Sequence, residues 1–124
     1  MGIKDPYIRN LTTRQFNELQ GQRIREDSLK KLENHMIYLR IFASINEIPE
    51  YPKMPPTFPM SLDQNSIQNL PYRNYLVRHS IKQAENTLFE CQQIPANRFI
   101  GYYSSKVGTQ EKAMEKLVTL LKRD

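Results

Sequence analysis

Tryptophan is absent from the 124 residues, and cysteine occurs once, at Cys91. A lone thiol forms no intramolecular disulfide, so a disulfide scaffold is excluded and a reducing intracellular compartment is expected. His35 and His79 are the only histidines, and neither has a second His or Cys at metal-ligand spacing. Glycine is scarce as well. Gly2, Gly21, Gly101 and Gly108 stand isolated, and neither G-x-x-x-x-G-K nor G-x-G-x-x-G is present to cradle a phosphate. No stretch approaches the roughly 20 apolar residues that span a bilayer. The most apolar run, Met36 to Ile48, is interrupted by Arg40 and Glu47. Asp5, Pro6 and Arg9 stand where the apolar part of a secretory signal would begin.

The same scarcities bear on catalysis. Cys91 lies on an apolar stripe with no activating histidine signalled beside it, which is the setting of an inert buried thiol. No pair of acids sits in apolar surroundings that would raise a pKa for general acid–base work. No catalytic residue, cofactor or metal site is therefore predicted, and the chain is not expected to be an enzyme.

What is present is ordinary for a globular chain: 39% hydrophobic and 25% charged residues. The formal net charge is +5, spread from Lys4 to Arg123 rather than gathered in one block. A dispersed excess of this kind favours acidic partners without choosing among nucleic acid, protein and anionic membrane. Arg9, Arg14, Arg23 and Arg25 hint at mitochondrial import, but Asp5, Glu18, Glu26 and Asp27 dilute that signal. A mitochondrial and a cytoplasmic or cytoskeletal location both stay open.

The hydrophobic spacing predicts an all-α fold. Three main helices, about 13–47, 72–93 and 110–122, are joined to an extended N-terminal arm (1–11) and a proline-rich crossing (49–60). Residues 12–124 are read as one helical domain. The first start signal is the strongest. Thr12 and Gln15 have capping-box spacing, and Leu11 and Phe16 sit at the staple positions around it. Gly21 interrupts the polar first half, so the helix either bends there or runs unbroken as a rod of about 52 Å, longer than the roughly 35 Å diameter of a compact domain this size.

From Leu29 the stripe Leu32, Met36, Leu39 and Ala43 follows a 3-4 spacing, with a second stripe, Ile37, Ile41, Ile45 and Ile48, beside it. Two stripes predict burial on more than one side. Ile48-Pro49 ends the helix. Ser61 and Gln64 suggest a short helical turn over about 62–69. Val77, Ile81, Ala84, Leu88 and Cys91 make the second helix amphipathic, and Ile94-Pro95 stops it. Residues 97–105 read either as a short helix with Pro95 at its start and Gly108 as its C-terminal cap or as an extended aromatic segment, the helix being slightly preferred. Thr109 is expected to cap the last helix, which buries Ala113, Met114, Leu117, Leu120 and Leu121.

Residues 49–60 hold five of the eight prolines. On a polyproline screw of three residues per turn, Tyr51, Met54, Thr57 and Met60 share one edge, and Pro49, Pro52, Pro55 and Phe58 another. Extended segments cannot satisfy their own backbone, and an over-apolar helix cannot cover itself. These features predict a non-catalytic accessory or scaffold subunit that touches other protein subunits through Tyr7, Ile8, Ile37, Ile41, Ile45, Tyr51, Met54, Phe58 and Met60. The alternative is a small basic RNA- or ribosome-associated protein using Arg98, Phe99, Tyr102, Tyr103 and Lys106, the one basic–aromatic cluster.

Overall fold

The computed structural model describes residues 12–55 and 61–123. The N-terminal arm, with Tyr7 and Ile8, and the part of the crossing that holds Phe58 and Met60 lie outside the described residues. Among the described residues there is no strand, and three main helices carry the fold, so the all-α class holds. They are α1 (Thr13–Ile45), α2 (Leu70–Gln92) and α3 (Ser104–Lys122).

Helix α1 begins where its capping box requires. The Thr12 hydroxyl accepts from the Gln15 N–H at 3.1 Å, and the Gln15 side-chain oxygen accepts from the Thr12 N–H at 3.0 Å. This pair satisfies two of the donors left open at a helix start. Phe16 is exposed, and its staple partner Leu11 lies outside the described residues. The helix then continues unbroken through Gly21 to Ile45, 33 residues or about 50 Å. Gly21 is buried against Ile100. A Cβ placed on it would stand 2.8 Å from the Ile100 Cδ1. The glycine serves close approach between two segments, not a bend.

The end of α1 is a Schellman motif. The Ile48 N–H donates to the Ala43 carbonyl at 2.9 Å, and the Glu47 N–H to the Ser44 carbonyl at 3.2 Å. Glu47 occupies the left-handed position, with φ of 50°, where glycine is usual. The reversal turns Ile48 back into the core, where it is buried. Arg78 of α2 then fastens the chain beyond the helix, donating to the Ile48 carbonyl at 2.8 Å and the Pro49 carbonyl at 3.1 Å. A cation suits this negative helix end.

The core is built from one face of each helix. Leu32, Met36, Leu39 and Ala43 of α1 meet Val77, Ile81, Ala84 and Cys91 of α2 and Val107, Met114, Leu117, Val118 and Leu121 of α3. Burying a side chain of this size stabilises by about 1.5–3 kcal/mol. Phe99, fully buried, fills the space where the segment after α2 turns towards α3. That segment is a single helical turn (Ala96–Arg98) followed by a wider turn (Phe99–Tyr103) with a non-helical kink at Gly101, and it leads directly into α3.

Four expectations need correction. Burial of α1 on more than one side does not occur among the described residues: Ile37, Ile41 and Ile45 are exposed. Leu39 and Ala43 each lie two residues, or about 200°, from Ile41, so a face opposite them cannot share their core. The last helix starts earlier than 110, at Ser104, with Gly108 and Thr109 inside it, because buried Val107 extends the apolar stripe backward. Ala113 is exposed rather than buried, since it precedes buried Met114 by one residue, a turn of about 100°. The turn before α2 is the short Ser66–Gln68, capped by neither Ser61 nor the side chain of Asn65 that precedes it; Asp63 Oδ1 instead accepts from the Ser66 N–H at 2.8 Å. Helix α2 itself takes Asn69 as cap, with its side chain accepting from the Tyr72 N–H at 3.2 Å and Pro71 in the first turn.

Candidate partner-binding face

Three of the expected contact residues form one ridge. Ile37, Ile41 and Ile45 follow each other at steps of four along the outer side of α1, with exposures of 44, 55 and 75%. Steps of four drift by about 40° each and leave a short, slightly oblique row. Beyond the helix end, Tyr51 and Met54 are also exposed, at 79 and 60%. They are three residues apart, while Pro52 and Pro55, also three apart, are half-buried. A threefold screw places the two pairs in this way, one edge inward and one outward. Single exposed apolar residues are common on protein surfaces. A contiguous row of three isoleucines on a helix is not, and makes this face the candidate interaction site.

Cations seated on aromatic rings border the ridge. Tyr38 and Phe42 lie three residues before Ile41 and Ile45 and are therefore their surface neighbours. Lys122 Nζ stands 5.0 Å from the Tyr38 ring centre, and the Arg73 guanidinium 5.2 Å from that of Phe42. On the opposite flank Arg40, three residues after Ile37, pairs with Glu85 of α2. Lys82 Nζ sits 5.8 Å from the Tyr51 ring centre. Between this flank and α2 opens a cleft of about 450 Å³, lined by Arg40, Tyr51, Arg78, Lys82 and the stacked pair Tyr75 and His79. Glu50 and Glu85 are the acids in its wall.

The basic–aromatic cluster does not assemble into a platform. Phe99 is fully buried and offers no face to a base, which corrects its assignment to nucleic-acid contact. Lys106 is held by Glu90 at 3.1 Å, an ion pair that raises the lysine pKa. Tyr103 is half-buried against the core, edge-on to exposed Tyr102, and Arg98 is exposed. Three of the five residues are thus committed to packing or pairing within the chain.

One cluster was invisible in the sequence. His35 Nε2 lies 3.2 Å from Glu111 Oε1, joining α1 to α3 across 76 positions. With Glu115, one turn further along α3, these side chains bring three donor atoms within 4.8 Å of one another. A zinc-class ion takes such donors. Lys31, Lys112, Lys116 and Arg123 crowd the adjoining depression together with the two glutamates, and their charge opposes a cation there. No spacing rule links residues so far apart in the chain, so only the packing of α1 on α3 reveals them.

Cys91 is fully buried, and burial pushes its thiol above the usual value. Its carbonyl accepts from Arg25 Nη2 at 2.7 Å, which ties α1 to the end of α2. No protein family, curated protein or solved structure matches this chain. Among the described residues no helix is long and apolar enough to cross a membrane.

Proposed function

We propose that this chain is a non-catalytic accessory or scaffold subunit of a larger protein assembly, held to its neighbours through the outer side of α1 and the start of the proline-rich crossing. The observation that carries this reading is the exposed ridge Ile37–Ile41–Ile45, which lies opposite a complete core on the same helix. The described residues bury the inner stripe by themselves, and among them the outer stripe packs into no core. Tyr51 and Met54 extend the apolar surface beyond the ridge. The single buried thiol suits a reducing compartment. An organellar complex and a cytoskeletal lattice would each take such a subunit.

The test is co-purification from native cells after mild cross-linking. A variant carrying Ile37→Ser, Ile41→Ser and Ile45→Ser, with unchanged helicity, is expected to lose the proteins that accompany the natural chain. Retention of the same set by this variant and by a Tyr51→Ser/Met54→Ser variant would sink the reading. The RNA-associated alternative predicts instead a complex that weakens by orders of magnitude between about 50 and about 200 mM salt.

A further inference from the structure

We infer that the partner seated on the α1 ridge is an amphipathic helix with acidic residues along both of its flanks. This rests on the subunit reading and names the chemistry of the partner. A row of three residues at steps of four is a ridge of the kind that fits the groove of a second helix in the commonest crossing class. Strand addition would need an open backbone edge, which α1 does not offer, and polyproline docking would need an aromatic-lined groove rather than a projecting aliphatic ridge. The ridge therefore selects a helix.

Charge selects its flanks. Lys122 and Arg73 border the ridge on one side, and Arg40, Arg78 and Lys82 on the other. Arg40 is neutralised by Glu85, and Arg78 spends two donors on backbone carbonyls without losing its charge. Among the described residues, Lys82, Lys122 and Arg73 have no carboxylate partner; each lies over an aromatic ring. The rings hold the charged groups in place, which lowers the cost of ordering them on binding. Glu33, one turn before Ile37, Glu47, two residues after Ile45, and Glu50 are the opposing acids; against Arg73, Arg78, Lys82 and Lys122 they leave the surround positive by one charge. A second copy of the chain would bring this positive surround against itself, and like charges brought together at an interface disfavour that pairing. A nucleic acid would satisfy the cations and leave the isoleucines in water. An acidic amphipathic helix covers both.

The experiment is fluorescence anisotropy of the full chain with three labelled, helix-stapled peptides of about 16 residues, about 24 Å long. The first carries a leucine ridge flanked by glutamates, the second the same ridge flanked by lysines, and the third a serine ridge flanked by glutamates. The first is expected to bind about tenfold tighter than either of the others, because it alone matches both ridge and rim. The Ile37→Ser/Ile41→Ser/Ile45→Ser variant should lose that binding. A Lys82→Glu/Lys122→Glu variant should transfer the preference to the lysine-flanked peptide. Equal affinity for the first two peptides, equal affinity for the first and third, or no binding of the first overturns the proposal. A ridge-dependent dimer in sedimentation equilibrium also overturns it by giving the face to a second copy. The two readings fail separately. If the isoleucine variant loses its native companions while charge reversal changes no peptide affinity, the subunit reading stands and the acidic partner falls. If that variant keeps all its companions, the subunit reading itself falls.

Discussion

The two faces of α1 are made of nearly the same material and meet opposite fates. The inner stripe, Leu32, Met36, Leu39 and Ala43, is buried, while the outer stripe, Ile37, Ile41 and Ile45, is exposed. Hydrophobicity alone does not separate them; isoleucine is as apolar as leucine. The inner stripe is met by α2 and α3, which between them bring ten buried apolar side chains to the core, from Val77 to Leu121. The outer stripe is met by nothing among the described residues. A chain of this length supplies enough apolar surface for one side of so long a helix, and the second side is left over.

The sharpest way to break this comparison is to trim each face and measure the urea midpoint. Leu39→Ala, at a fully buried position, should cost about 2–5 kcal/mol. Ile41→Ala, on the ridge, should stay within about 0.5 kcal/mol in the isolated chain. Equal losses would mean that the ridge is covered. Next in size is the helix end that sends Ile48 inward. Glu47→Gly removes a side chain from the left-handed region and should stabilise by about 0.5–1 kcal/mol, read in the same melt. A smaller effect belongs to the far end of the inner face. Gly21→Ala gains helix propensity but must displace the tip of Ile100, a half-exposed side chain with room to move. A net stabilisation of about 0.5 kcal/mol is expected, whereas Gly21→Leu should destabilise.

The smallest effect concerns neither face. The Asp63 carboxylate is held below its ordinary value of 3.8 by the Ser66 N–H and the Ser61 hydroxyl. A lowered carboxylate contributes stability that is fully present above the unfolded value and is lost as pH falls through the folded one. The midpoint difference between the natural chain and Asp63→Ala should therefore hold at about pH 5 and shrink below about pH 4. A difference independent of pH would show that the turn gains nothing from ionisation.

Much of this was legible from neighbouring residues. Thr12 and Gln15 announce the start of α1 because capping is a local contest for backbone donors, decided within four residues. The stripe of α2 and its stop before Pro95 follow the same logic. The start of α3 did not, because Gly108 and Thr109 carry local break signals that burial of Val107 overrides. Asp63 rather than Ser61 holds the Ser66 N–H for a related reason: both have the chemistry, and only the path of the chain decides which oxygen meets an N–H. At the candidate site the ridge residues were legible as a second stripe. Whether that stripe faced a core was not, since that depends on what α2 and α3 can reach. The cationic border was hidden altogether, because Arg73, Lys82 and Lys122 come from helices distant in sequence and reach the ridge only after packing.

The opening turns of α1 have a mechanical corollary. From Thr13 to Glu18 every side chain is exposed, so this stretch extends past the core without being gripped by it. Such a tip can change length without touching the packing behind it. Seven added residues would carry it about 10 Å further while rotating it by only about 20°. One added residue would hardly lengthen it but would swing whatever it carries by about 100°. The reach of the tip and its heading can thus be set separately, the first in steps of two turns and the second in single residues.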